Sequence, residues 1–321
     1  MGRFVASRIG HAIVVSFLVT TIAFFLIHLA PGDPFSFDSP RVTEELRVRW
    51  RAQFGYDRPL AEQYWRYLGS VATGKLGYSH SLHVPVRDAL ATTLPRTLGL
   101  MGCALALSFA LGIWLGVFEA RHAGTGKARL ANAASLVINS LPDFWLALMV
   151  LLAFAYWIPV FPAGGMVDAF MHDYMSPVRA VLDRLRHLAL PLLALTLVAT
   201  AVIARFQRAA LLDVLPSDFV RTARAKGVAT GSVVRRHALR NALLPMITLA
   251  GLALPALLGG AVFVERIFAW PGMGLLMTNA VGARDYPLVL AAVLVGSFLV
   301  VAGNTLADIG YALADPRIRV R

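Results

Sequence analysis

The sequence predicts an all-α, polytopic membrane protein with six transmembrane helices and both termini in the cytoplasm. Of its 321 residues, 58% are hydrophobic and only 15% are charged, which is too little charge to cover the surface of a soluble protein of this size. A bilayer core of about 30 Å requires about 20 apolar residues in a helix. Stretches of that length predict spans at residues 9–30, 97–118, 131–158, 188–207, 242–264 and 288–307.

Two of these spans need a separate justification. The apolar run at 9–30 is too long for the central part of a cleaved signal peptide, and no A-x-A-like site follows it, so we expect an uncleaved first span. The third span contains Asn139, Ser140, Pro142 and Asp143. Since proline cannot donate a backbone hydrogen bond, we expect this span to be interrupted there.

The distribution of Lys and Arg predicts the orientation. With the N-terminus inside, the short segments 1–8, 119–130 and 308–321 and the segment 208–241 are cytoplasmic and carry most of the chain's net charge of +12. Because the basic residues are divided among these loops, the pI near 10.6 reflects membrane topology and not a nucleic-acid-binding surface.

The domain organisation predicted for residues 1–321 is a single transmembrane domain. Its one sizeable extracytoplasmic segment is 31–96, between the first and second spans. Within it, "EELRVRWR" alternates acidic and basic residues, whereas "LAEQYWRYLGSV" is an amphipathic aromatic stretch with Pro59 at its helix start. We therefore expect one or two short helices on or near the outer membrane surface.

The cytoplasmic stretch "RTARAKGVATGSVVRRHALRNALLP" (221–245) is strongly basic and contains no acidic residue. Ser217 and Asp218 are N-cap candidates and Gly227 is a stop signal, so 218–226 is predicted to be a short helix. By charge alone the segment is an ordinary positive-inside loop. The short helix, the glycine and a second helix instead favour a docking element for a cytoplasmic partner.

Residues 218–245 resemble the cytoplasmic EAA-type loop of ABC importer permeases, in particular the dipeptide/oligopeptide/nickel branch. Arg221, Thr222 and Ala223 stand in the place of E-A-A, and Gly227 matches the glycine of that motif. Three further stretches resemble the same branch: "LAPGDPF" (29–35), "FAWPGMGLLMTNAVGARDYPLV" (268–289) and "NTLADIGYALADPRIRVR" (304–321).

The resemblance implies a function and a set of partners. The chain is expected to be the pore-forming subunit of an ATP-driven importer of peptides or related small solutes in a bacterial inner membrane. Its implied partners are a second homologous permease, two ATP-binding subunits and an extracytoplasmic substrate-binding protein. The coupling residues carried over are Arg221, Thr222, Ala223, Arg224, Ala225, Lys226 and Gly227.

The sequence contains no credible ATP site, so ATP and Mg²⁺ are expected on the partner subunits, with no cofactor in this chain. The nearest match to a phosphate-binding loop, "RHAGTGKA", has Arg121 in place of the first glycine and Ala128 in place of Ser or Thr. No convincing arrangement of nucleophile, base or metal ligands was found, and Cys103 is the single cysteine. We therefore expect no enzymatic activity in this chain.

Asp143 is the principal candidate for a pore-lining residue. A carboxylate near the bilayer centre costs about 2.5–3.5 kcal/mol, so it should face protein or water. It could attract a cationic substrate group, or it could satisfy backbone donors freed by the break at Pro142. The weaker candidates are Asn139, Ser140, Asn304 and Asp308. For Asn304 and Asp308, interhelical hydrogen bonding is favoured over a pore role.

A self-sufficient secondary transporter or channel is the alternative function. It would account for six spans and for Asp143, but it gives no role to the basic helix at 218–226 and the helix that follows.

Overall fold

The computed structural model describes residues 2–29, 43–253 and 261–314, and within these ranges the chain is mostly helical. The first part comprises α1 (Gly2–Leu29), α2 (Glu44–Phe54), α3 (Leu60–Ala72), strands β1 (Tyr78–Ser79) and β2 (Val84–Pro85), α4 (Val86–Arg121), α5 (Gly126–Ser140) and α6 (Asp143–Leu151). A π-helical turn, Leu152–Trp157, extends α6, and a 3₁₀ turn covers His172–Tyr174.

The second part continues with α7 (Pro177–Val214), α8 (Asp218–Ala225), α9 (Thr230–Ser232), a π-helical segment (Val233–Ala238), α10 (Leu239–Ala242), α11 (Leu244–Ala253), α12 (Val262–Ile267), α13 (Met273–Gly282) and α14 (Tyr286–Ala314).

Among the described residues, three helices are long and apolar enough to cross a membrane: α4, α7 and Tyr286–Ala307 of α14. The α5–α6 pair adds a fourth if it is one broken span. These four coincide with the predicted second, third, fourth and sixth spans. The described apolar parts of the first and fifth, Ile13–Leu29 and Leu244–Ala253, are shorter.

Some predicted features lie outside the described residues. They are residues 30–35 of "LAPGDPF", residues 254–260 of the fifth predicted span and the C-terminal residues 315–321.

The predicted interruption of the third span is confirmed. The axes of α5 and α6 differ by 106° across the break between Ser140 and Asp143. Leu141 and Pro142 both have extended backbone angles there, as expected because the residue before a proline avoids the helical region. The bend places Asp143 in the first turn of a new helix.

Two spanning helices are longer than the apolar runs that predicted them. α4 begins at Val86 and not near residue 97, and α7 begins at Pro177 and not near residue 188. Hydropathy locates only the part of a helix that lies in lipid. Pro177 is in the first turn of α7, where its missing N–H costs nothing.

The segment between the first two spans contains the two predicted short helices, α2 and α3, with Pro59 at the N-cap of α3. It also contains β1 and β2, which form an antiparallel two-stranded ribbon with Tyr78 opposite Pro85. The all-α prediction missed this ribbon. Strands of two residues are too short to give an alternating pattern that sequence analysis could detect.

The chain forms two compact units. The first comprises the described residues of Met1–Pro95 and Leu275–Leu299. In it, the rings of Phe24, Tyr64 and Tyr67 pack together. The buried Asp285 carboxylate accepts hydrogen bonds from the Ser79 hydroxyl (2.6 Å) and the Ser81 hydroxyl (2.8 Å), which fixes the ribbon.

The second unit comprises the described residues of Arg96–Gly274 and Val300–Arg321. Close contact between α4 and α7 depends on glycine, since a Cβ at Gly116 would lie 2.5 Å from the Ala204 carbonyl oxygen. Gly112, one turn earlier, is equally close to Ile203. Small residues at this spacing allow two helix backbones to approach each other in a membrane protein.

Candidate functional site

The predicted helix at 218–226 is confirmed as α8. Ser217 occupies the N-cap position with an extended backbone, but its hydroxyl donates to the Val214 carbonyl (2.6 Å) and does not cap α8. At the other end, Gly227 has φ of +76° and its N–H donates to the Arg224 carbonyl. The Val228 N–H donates to the Ala223 carbonyl, which completes a Schellman motif that ends the helix at a fixed point.

One face of α8 is buried against the chain itself. Val220 is fully buried and Ala223 is 7% exposed, and both lie in an apolar cluster with Leu211 of α7 and Ala120 of α4. Val233 and Val234 add the segment that follows α8 to the same cluster. The small side chain of Ala223 therefore serves internal packing, and Ala223 is the one buried residue among the seven expected coupling positions.

The opposite face of α8 is exposed and basic. Its exposed residues among the predicted coupling positions are Arg221, Thr222, Arg224, Ala225, Lys226 and Gly227. Arg221 contacts the Asp218 carboxylate at 3.3 Å, but both side chains are highly exposed, so the ion pair contributes little stability. The exposed surface of α8 and its C-terminal end thus presents three cations and three small residues, while the other side of the helix is anchored.

Phe219 is a feature of this face that the sequence analysis missed. Its side chain is 44% exposed although it is a large aromatic next to the buried Val220. The helical pattern of the sequence indicates this exposure, because Phe219 lies off the i, i+3 stripe formed by Val220 and Ala223. An exposed aromatic beside cations is the composition found at the centre of many protein interfaces.

Asp143 is exposed and lines a partly open cavity in the second unit. The cavity has a volume of about 270 Å³ and lies between α4, α7 and the start of α12. Its lining is otherwise almost entirely apolar, with Met101, Leu105, Leu195 and Phe263 among the contributing residues. Within the described part of the chain, the Asp143 carboxylate forms no hydrogen bond or ion pair.

The other pore candidates are not brought to this cavity. Asn139 and Ser140 end α5, and the Ser140 hydroxyl donates to the Leu136 carbonyl of its own helix (2.8 Å). Asn304 is exposed on α14. Asp308 lies on the same helix one turn further on.

The "RHAGTGKA" segment forms a helix cap. Gly124 has φ of +88°, and the Thr125 hydroxyl accepts a hydrogen bond from the Ala128 N–H (3.3 Å) at the start of α5. In the described ranges, no group of three or more His, Cys, Asp or Glu side chains could hold a metal ion.

The family described as "Binding-protein-dependent transport system inner membrane component" matches residues 108–320, and its N-terminal counterpart matches residues 1–101. The chain belongs to this family. The resemblance inferred from the 218–245 motif is thereby confirmed, and the permease is a multi-pass protein of a bacterial inner membrane.

Similar proteins support the same assignment. The permease is 39% identical to the di/tripeptide transport system permease protein DppB of Pseudomonas aeruginosa (strain UCBPP-PA14), over 99% of each chain. It is 34% identical to the oligopeptide transport system permease protein AppB of Bacillus subtilis (strain 168), again over 99% of each chain. These relatives are named as transport permeases and not as enzymes.

A solved structure shares the fold. A chain from inward-facing conformations of the MetNI methionine ABC transporter superposes with a TM-score of 0.51, at 20% identity, over 70% of the permease and 98% of that chain. At this level of identity the similarity shows the fold alone.

Proposed function

We propose that the permease is the pore-forming subunit of an ATP-driven importer of peptides or related small solutes. Support comes from its similarity over nearly the full chain to permeases named for dipeptides and oligopeptides. In this proposal the chain crosses the membrane six times, with both termini in the cytoplasm, as the distribution of basic residues indicates.

The energy for transport comes from other subunits. Two ATPase subunits bind ATP and Mg²⁺ and dock at the cytoplasmic face, while a second homologous permease completes the pore as a heterodimer. An extracytoplasmic substrate-binding protein delivers the solute on the opposite side, where α2, α3 and the β1–β2 ribbon lie.

The observation that carries the proposal is the two-sided character of α8. Its buried face is held by Val220 in the cluster with Leu211 of α7, and its exposed face carries Arg221, Arg224 and Lys226. A partner that moves on binding or hydrolysing ATP can bias two states of the permease only through contacts that differ between those states. A short helix anchored to a spanning helix transmits such a bias, whereas a mobile loop would not.

Asp143 is proposed to line the solute path. Its carboxylate lies at an otherwise apolar cavity and has no hydrogen-bond partner in the described part of the chain. A negative charge placed in this way attracts an ammonium group, such as the amino terminus of a peptide.

The proposal is tested by reversing charge on the exposed face of α8. The double variant Arg221→Glu/Arg224→Glu, in the complete transporter reconstituted in proteoliposomes, should lower peptide uptake per ATP hydrolysed by about tenfold or more. The permease should still insert, because neither side chain is buried. Lys127→Glu/Arg129→Glu on the exposed surface of α5 makes the same charge change elsewhere and should leave this ratio near the wild-type value.

Two results would contradict the proposal. Normal coupling in the α8 variant would remove the docking role of this face. Solute transport by the permease alone, without ATPases or binding protein, would instead favour the secondary transporter or channel.

A further inference from the structure

A groove on the second unit, outside the coupling face of α8, has two chemically different ends. It lies between the C-terminal half of α4 and the chain that follows α8, and it has a volume of about 580 Å³. We call it the α4–α10 groove. The residues that line it include Ile113, Trp114, Val117, Arg121, Arg235 and Leu239.

The groove face of α4 is distinct from its packed face. Gly112 and Gly116 lie against α7, so that side of α4 is closed by the chain itself. Ile113 and Val117, one turn apart on the groove side, remain partly exposed, and Trp114 is 65% exposed. The groove therefore opens along the part of α4 predicted to lie in the membrane.

The other end of the groove is cationic. Arg121 at the end of α4 and Arg235 in the π-helical segment both line it and both are exposed. Within the described ranges neither forms an ion pair, and no acidic residue is among those that line the groove. Arg208 differs, since it lies 3.9 Å from the buried Glu119 carboxylate.

We propose that the α4–α10 groove binds an anionic phospholipid of the cytoplasmic leaflet. The phosphate lies against Arg121 and Arg235, and an acyl chain follows Ile113, Val117 and Leu239. Basic pockets beside membrane helices on the cytoplasmic side bind anionic headgroups, and an exposed tryptophan near the headgroup level is typical of the interface. A water-soluble phosphate would use the two arginines but would leave the apolar part of the groove unfilled.

The position of the groove gives the lipid a role. Arg121 belongs to α4, whereas Arg235 belongs to the segment that follows α8, whose Val233 and Val234 support the buried face of α8. A lipid held by both arginines connects these elements and strengthens the support of α8. This consequence rests on the proposed orientation and coupling function, but lipid binding can be measured without transport.

The binding test uses the complete transporter, delipidated in detergent and titrated with phosphatidylglycerol, phosphatidylcholine or inorganic phosphate, with native mass spectrometry as the readout. Phosphatidylglycerol should be retained in preference to phosphatidylcholine. Arg121→Gln/Arg235→Gln should weaken phosphatidylglycerol binding by about 30-fold. Arg129→Gln/Arg236→Gln removes the same charge from exposed residues outside the groove and should retain binding.

A second variant distinguishes a lipid from a soluble anion. Val117→Trp fills the apolar part of the groove and leaves both arginines in place, so it should abolish lipid retention. If inorganic phosphate competes fully with phosphatidylglycerol, the ligand is a free anion and the proposal is overturned. If Val117→Trp retains phosphatidylglycerol normally, no acyl chain lies in the groove and the proposal is overturned as well. An equal loss of phosphatidylglycerol binding in the two double arginine variants would also overturn the proposal. So would lipid binding that appears only after the ATPases are removed, because a partner protein would then occupy the groove in the complete transporter.

Discussion

Val220 of α8 and Leu211 of α7 are both completely buried and lie in one apolar cluster. They lie nine positions apart in sequence, and this cluster fixes α8 to the C-terminal end of α7, a 38-residue helix long and apolar enough to cross a membrane. We therefore expect a displacement of α8 to move α7, whose other end lies on the far side of the predicted bilayer.

The first prediction weakens this contact without changing the docking face. Val220→Ala should destabilise the attachment of α8 by about 1–3 kcal/mol, because buried methyl groups are lost and a cavity remains. Faster hydrogen exchange of the α8 backbone amides and less uptake per ATP are the expected observations. Val178→Ala, at a position that is 79% exposed, is the matched control. Unchanged exchange in Val220→Ala would mean that the cluster does not hold α8.

The second prediction concerns the end of α8. Gly227→Ala should cost about 1–2 kcal/mol, because alanine is strained at φ of +76°. No atom lies within 4 Å of the added Cβ, so the cost is confined to the backbone. Gly124→Ala is closely matched, with φ of +88° and the same open surroundings. Coupling of ATP hydrolysis to uptake should fall in Gly227→Ala but not in Gly124→Ala. An equal loss of coupling in the two variants would indicate general destabilisation.

Local signals in the sequence predicted the local structure well. The helix at 218–226, the interruption near Pro142 and the helix start at Pro59 each depend on residues within a few positions of one another. Helix lengths were predicted less well. α4 and α7 extend beyond their apolar runs because their outer turns lie outside lipid, where hydropathy carries no information.

Contacts between residues distant in sequence could not be predicted. The inward orientation of Ala223 depends on α4, α7 and the segment after α8, which the helical pattern of 218–226 alone does not specify. The cavity at Asp143 likewise requires residues from five separate helices, α4, α6, α7, α11 and α12. The sequence identified the carboxylate as exceptional but could not choose between a pore role and a capping role.

The third prediction addresses that choice. Asp143→Asn should lower uptake of cationic substrates by about fivefold relative to neutral ones, the factor expected for loss of one charge at about 4 Å in a hydrated site. Radiolabelled uptake at equal expression measures the ratio. Ser140→Ala, which lies off the cavity, should leave it unchanged. Equal effects of Asp143→Asn on both substrate classes would support a local structural role.

The fourth prediction concerns a buried carboxylate in the second unit. The Thr97 hydroxyl donates to Glu265 Oε1 (2.6 Å) and accepts from the Met273 N–H (2.7 Å), and Glu265 is completely buried. Thr97→Val keeps the shape but removes this hydroxyl, which should lower stability by about 1–3 kcal/mol. Thermal unfolding of the purified complex measures the loss. Thr97→Ser restores the hydroxyl and should recover most of it. If the serine and valine variants unfold alike, the hydroxyl is not the cause.

The fifth prediction is a pH dependence at the start of α7, where Asp183 binds the segment that precedes the helix. Asp183 is 9% exposed, and its Oδ2 accepts hydrogen bonds from the Asp168 N–H (3.0 Å) and His172 Nδ1 (2.7 Å). Burial acts to raise the pKa of Asp183, but these hydrogen bonds and the neighbouring His187 outweigh it and hold the pKa below its ordinary value.

A depressed pKa in the folded state means that the ionised carboxylate stabilises the fold. This stabilisation is complete above the ordinary aspartate pKa of about 3.9 and is lost as the pH falls through the lower, folded value. Protection of the Asp168 amide from hydrogen exchange, measured at each pH relative to the intrinsic exchange rate, should therefore decline below about pH 4. Asp183→Asn should abolish this acid dependence, while Asp173→Asn, at an exposed position, should preserve it. An identical acid profile in Asp183→Asn would assign the transition to another carboxylate.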